Sequence, residues 1–168
     1  MDDTLSRQLI EKYPKIFAGV PRPDGKGNYP FWLECGKGWY DMLDTLCANI
    51  QGHVDNKNIS YDYKVKRGEA KEEDRPNYQV VASQVKEKFG GLRFYTLGND
   101  EFVDGLISMA EGMSYKICEV CGNPGKVGGR GWITTMCEPC RELDNKRKAD
   151  YEEKYAAERA AAKEKTNG

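Results

Sequence analysis

CEVCGNPGKVGGRGWITTMCEPC, residues 118–140, is the stretch that decides how this chain is put together. It places Cys118, Cys121, Cys137 and Cys140 as two C-x2-C pairs separated by fifteen residues, a spacing that suits a tetrahedral four-thiolate zinc site. Two intervening residues let both sulfurs of a pair reach one ion at about 2.3 Å. Gly122, directly after the first pair, can take the positive φ that aims backbone N–H groups at the thiolates. The second pair carries Pro139 and runs into RELDNKRKADYEEKYAAERAAAKEK (141–165), a helical composition. Proline suits a first helical turn, so Cys140 is expected at a helix N-terminus, where the macrodipole favours a thiolate.

Two disulfides or ordinary buried thiols are the competing readings of these cysteines. Matched pairs in a chain without a secretion signal argue against both. Four thiolates close the coordination shell, so the expected ion is a single structural Zn2+ rather than a catalytic one. It would take the formal charge from −1 to about −3. A knuckle, a glycine-rich excursion, the short strand WITTM and a helix bearing the last ligands resemble a treble-clef zinc finger or zinc ribbon. Cys35 and Cys47 have no C-x2-C partner and read as core thiols. A nucleophilic Cys35 beside Glu34, Asp41 and Asp44 is the enzymatic alternative, with no activating base nearby in sequence.

Outward from this module, the chain has 168 residues, enough for a hydrophobic core without disulfides. Lys plus Arg is 26 against 27 for Asp plus Glu, which excludes a protein that binds by bulk positive charge. No apolar run approaches a membrane span, and MDDTLSRQLIEKYPK (1–15) lacks the layout of a signal peptide, so a cytoplasmic protein is expected.

The expected fold class is α+β. A first helix covers residues 4–13 and stops at Pro14. Residues 18–30, rich in Gly and Pro, read as a loop. Trp39, Met42, Leu43, Leu46, Cys47 and Ile50 follow helical periodicity up to Gly52. His53 beyond it reads as a capping or surface residue. In NISYDYKVK (58–66) the period switches to two, which predicts a strand. A charged loop at 67–77 leads to a second strand at 78–88 and a third within FGGLRFYTL (89–97), completing a three-stranded antiparallel sheet. A helix capped near Asn99 then turns Phe102, Val103, Leu106, Ala110 and Met113 inward. The domain reading is 1–114 as the α+β body, 115–145 as the zinc module and 146–168 as a charged C-terminal helix or tail. In that tail Leu143, Tyr151 and Tyr155 form a narrow stripe able to dock on the body.

With a Gly90-Gly91 turn, Phe89 pairs with Leu92, Lys88 with Arg93, Glu87 with Phe94 and Lys86 with Tyr95. Val85, Phe89, Leu92 and Phe94 would then be buried. Lys86, Lys88, Arg93 and Tyr95 would form either a solvated face or a basic, aromatic platform for nucleic acid or an acidic ligand. Lys126 and Arg130 would extend it. GKVGGRG (125–131) lacks the register of a phosphate loop and reads as a flexible excursion. Of the aromatics Phe31, Trp32, Trp39 and Tyr40, Trp39 reads as core and Trp32 as a candidate partner contact.

LIEKYPKIF (9–17), ECGKGWYDMLDTLC (34–47), QVKEKFGGLRFY (84–95) and the cysteine pattern together resemble a group of small phage and prophage proteins with no settled biochemical role. The resemblance spans residues 5–145. That group admits His at the final ligand position, where this chain has Cys140. It implies a non-enzymatic accessory protein that binds a host macromolecule, for instance a protein of antiviral defence. Nucleic-acid binding through the hairpin face and sequestration of a small nucleotide are the other two functions weighed.

Overall fold

Helical periodicity beyond residue 52 decides the shape of the body. In the computed structural model, which describes residues 1, 3–19, 33–129 and 131–166, helix α2 spans Tyr40–Lys66 without interruption. Leu43, Leu46, Cys47, Ile50, Val54 and Tyr61 form its buried stripe, so the 3.6-residue period continues through the segment expected to be a strand. Of the alternating set, Tyr61 is buried, whereas Ile59 and Tyr63 are exposed. Strand pairing would have to beat an already nucleated helix, and the helix wins. Gly52 lies mid-helix in open space; the stop is Gly68, with φ 74°.

Helix α1, Asp3–Lys12, packs Leu9 and Ile10 onto the core, and Tyr13 follows it. The Tyr13 hydroxyl donates to Asp44 Oδ1 at 2.8 Å, tying the two helices. Ile16 and Phe17 are buried, and the Ala82 amide donates to Ile16 O. Residues 20–32, holding Phe31, Trp32 and most of the expected loop, lie outside the described residues, as does Arg130.

Strands β1 (Val81–Lys88) and β2 (Gly91–Leu97) form a two-stranded antiparallel sheet, so the expected three-stranded sheet is not present among the described residues. Beside β1, only Glu34 bridges to Lys86: its N–H donates to Val85 O, and its carbonyl accepts from the Glu87 N–H. The expected hairpin register is two residues off, the turn lying one residue earlier, so each side chain keeps its face. Lys88 pairs with Gly91, Glu87 with Leu92, Lys86 with Arg93, Val85 with Phe94 and Gln84 with Tyr95. The turn is therefore Phe89-Gly90, with φ of 55° and 79° at successive residues, as a type I′ turn requires. Gly91 is used otherwise: a Cβ there would overlap the Tyr115 ring. Phe89, expected in the core, is 65% exposed, while Val85, Leu92 and Phe94 are buried as expected.

Helix α3 (Glu101–Ser114) is capped by Asp100, next to Asn99; the Asp100 Oδ1 accepts from the Val103 N–H at 3.1 Å. Its buried face is Val103, Ile107, Ala110 and Ser114. Phe102 and Met113, expected inside, are exposed. A second small sheet pairs β3 (Lys126–Gly128) with β4 (Thr134–Met136), and α4 (Glu138–Thr166) follows. Leu143, Tyr151 and Tyr155 on α4 are all exposed, and the two tyrosine rings stack on each other instead of docking on the body.

Candidate metal centre

Three local features converge four sulfurs. The first is a knuckle: the Gly122 N–H donates to Cys118 O at 2.9 Å, and the Cys118 N–H to Asn123 O at 2.7 Å. Gly122 takes φ 80°, the positive value expected of it. The second is the β3–β4 ribbon, which returns the chain to Cys137. The third is the first turn of α4, which carries Pro139 and Cys140. Arg141 straps the parts together, its guanidinium donating to Lys126 O at 2.8 Å and Thr134 O at 3.1 Å.

The Sγ atoms of Cys118, Cys121, Cys137 and Cys140 all lie within 4.8 Å of one another. Cys121 and Cys137 are 3.5 Å apart, far beyond a bonded pair, and all six cysteines are free thiols. A tetrahedral ion with sulfur ligands at about 2.3 Å needs S···S separations of roughly 3.8 Å, so the cluster fits a metal ion of that class. Cys118 is buried and Cys121 exposed, with the other two between. Burial pushes the Cys118 thiol up, but N–H groups of Cys137, Cys121 and Val120 outweigh it and hold it near 7. Cys140 is pushed up to about 12, first by its hydrogen bond with Cys137 and then by burial. Backbone donors on one sulfur and crowding on another are what a bound dication exploits and relieves.

The knuckle is seated on the body by a motif that spacing alone did not mark. In CGKGW (35–39), the Gly38 N–H donates to Glu119 O at 2.8 Å and the Gly36 N–H to Glu119 Oε1 at 2.7 Å. The buried Trp39 donates its Nε1–H to Ile117 O at 2.9 Å. A Cβ on Gly36 would overlap Glu119, and one on Gly38 would overlap Cys118 O. The legible signal was two glycines alternating before a tryptophan, the pattern of a backbone that another backbone must approach. On the other side, Thr135 Oγ1 donates to Gly90 O at 2.6 Å, joining β4 to the hairpin turn.

Lys86, Lys88, Arg93 and Tyr95 share one face of the hairpin by register. Arg93 is not free there: its guanidinium donates to Leu92 O at 2.6 Å and to the Tyr115 hydroxyl at 3.0 Å. Lys86 sits 5.8 Å from the Tyr95 ring centroid. Lys126 is exposed on β3. Trp32 and Arg130 lie outside the described residues. Cys35 and Cys47 are buried, and burial pushes the Cys35 thiol up to about 12. Asp44 is engaged by Lys12 and Tyr13, and the Lys12 ammonium holds its carboxyl below the usual range. No helix is long and apolar enough to cross a membrane among the described residues. No protein-family model matches the chain, and neither the curated proteins nor the solved structures contain a match.

Proposed function

We propose that this chain is a non-enzymatic accessory protein, held in shape by one structural zinc, whose hairpin tip and metal module bind a macromolecular partner. The observation that carries the reading is an exposed aromatic in a backbone conformation that suits it badly. Phe89 is 65% exposed at a φ of 55°, where Asn or Gly would sit without strain. Bulky residues persist in such positions mostly where function holds them. Beside it, Gly90 approaches the Ile133 side chain, and Trp132 is 71% exposed. Two exposed aromatics, one on the hairpin turn and one on the loop between the cysteine pairs, have the composition of an interface anchor. Lys88 flanks the tip, its Nζ 5.4 Å from the Phe89 ring centroid, which favours a protein partner with acidic groups around an apolar pocket. The resemblance to phage proteins makes that partner a host protein.

Nucleic-acid binding through Lys86, Lys88 and Tyr95 is the second reading, favoured by their common face. The engagement of Arg93 by Tyr115 and the overall charge of −1 count against it.

Metal analysis of protein purified without chelator should give one zinc per chain. Affinity capture from host cells should recover a stoichiometric partner with the wild type and lose it with Phe89→Asn and with Trp132→Ala. Capture that is indifferent to both substitutions overturns the assignment of the tip. Retention on DNA that collapses with salt would transfer the assignment to nucleic acid.

A further inference from the structure

A second site lies along α2 and shares no residue with the cysteine cluster. The residues His53, Asn56, Lys57, Ser60 and Lys64 recur at helical spacing and, with Tyr61 and Tyr78, line an open cleft of about 260 Å3. None of the lining residues is a carboxylate, although acids outnumber bases in the chain. The acids nearest in sequence are directed elsewhere. Asp55 accepts from Gln51 and lies 3.8 Å from Lys15. Asp62 binds Arg75 at 2.5 Å.

Asp100 reaches the rim, binding Lys57 Nζ at 2.7 Å and His53 Nε2 at 2.8 Å. This fixes both side chains but leaves Lys57 with two ammonium protons and His53 with Nδ1. Lys57 also lies 4.8 Å from the Tyr78 ring centroid, which holds its stem against the wall. The Asn56, Ser60 and Lys64 side chains have no hydrogen-bond or ion-pair partner among the described residues. The cleft therefore presents an ammonium with nothing opposite it, a second ammonium already positioned, a hydroxyl and an amide, beside two tyrosine rings 6.4 Å apart.

We infer that this cleft binds the phosphate group of a small phosphate monoester, with Lys57, Ser60 and Lys64 on the phosphate oxygens. A tetrahedral dianion accepts from several directions at once, which matches long donors converging from two turns of helix better than a planar carboxylate does. The two tyrosine rings, set edge to face at 61°, supply an apolar corner for whatever the phosphate is attached to. The site is independent of the hairpin tip and of the metal, so failure of one assignment leaves the other standing.

The test uses the full zinc-loaded chain, with AMP and inorganic phosphate as probes in calorimetric titration and thermal melting. Lys64→Ala and Ser60→Ala remove groups with no structural partner, so both should melt like the wild type without ligand. AMP at millimolar concentration should raise the melting temperature of the wild type. Each substitution should weaken AMP binding about tenfold, the loss expected for a charge-assisted hydrogen bond. Inorganic phosphate bound more weakly, with the same sensitivity to both substitutions, supports a phosphate subsite to which the rest of the ligand adds. No binding of either probe, or binding that both variants keep in full, overturns the inference.

Discussion

From α1 to α3 the chain buries Leu9, Phe17, Trp39, Ile50, Val85 and Val103 in one cluster. Between Lys116 and Arg141 only Cys118 and Thr135 are buried among the described residues. The body can thus be held by apolar burial, at about 25 cal/mol per Å2, whereas the module has almost no core and depends on its sulfurs. A segment of that length does not fold on apolar burial alone. Stability in the two halves should answer to different perturbations, and they should meet where CGKGW touches the knuckle and where Thr135 bonds to Gly90 at the hairpin turn.

The largest effect should come from removing the ligands. Cys121→Ser, or chelation, should erase hydrogen-exchange protection over residues 116–141 while α2 stays protected. Structural zinc contributes on the order of 10 kcal/mol in small fingers. If α2 and β1 lose protection together with the module, the two halves are one cooperative unit and the contrast fails.

The contact itself comes next. Gly38→Ala would place a methyl on Cys118 O, forcing the knuckle off its seat. A loss of about 3 kcal/mol is expected, in the range of severe overpacking. Because the displaced atoms belong to the knuckle, zinc affinity should fall along with the melting temperature. A normal zinc affinity would show that the knuckle is metal-competent without the body.

The same contrast explains what was legible in the sequence. Ligand spacing is a local property, and CEVC and CEPC could be read without knowing anything else about the fold. Residues 58–66 were not so readable. Ile59, Tyr61, Tyr63 and Val65 alternate perfectly, yet Asn58 Nδ2 donates to Val54 O within a continuous helix, and Tyr61 anchors to Lys71 O. What decided between the two periods was the lack of a partner strand, which no window of sequence contains. The hairpin register failed for a similar reason. Gly90 and Gly91 look equivalent, and only Tyr115, at the end of α3, makes Gly91 the one that must lack a side chain. Gly52 reads as a helix stop that would leave His53 at a helix end; in the continuous helix His53 faces Asp100 and stacks on Phe102.

A smaller effect tests a polar fastener within the body. Asp100 caps α3 and binds Lys57 and His53, which together hold its carboxyl well below the usual aspartate value of 3.8, Lys57 most strongly. Because the folded value is depressed, this stabilisation is present at neutral pH and is lost as pH falls below the usual value toward the folded one. Asp100→Ala should cost about 1–2 kcal/mol at pH 7, mainly through the lost cap. The gap to wild type should narrow in acid. A gap that stays constant down to pH 2 would show that only the cap, and not the ion pairs, matters.

The smallest expected change in stability is also a gain. Phe89 holds a left-handed backbone at the tip of a type I′ turn, and such a conformation costs a residue with a Cβ about 1 kcal/mol. Asn relieves most of that cost, and Asn-Gly is the preferred pair for this turn. Glu87 Oε1 already accepts from the Gly90 N–H at 2.5 Å, so the turn geometry needs no adjustment. Phe89→Asn should therefore raise the melting temperature by a few degrees, since about 1 kcal/mol shifts a domain of this size by roughly 2–4 °C. It removes no buried contact, because the ring stands in solvent. If the phenylalanine instead contributes to folding, through packing on the module, the substitution will lower the melting temperature and the tip joins the core. If the protein becomes more stable and loses its partner together, the sequence keeps a strained aromatic at a cost to its own fold, which is how a binding residue differs from a packing one.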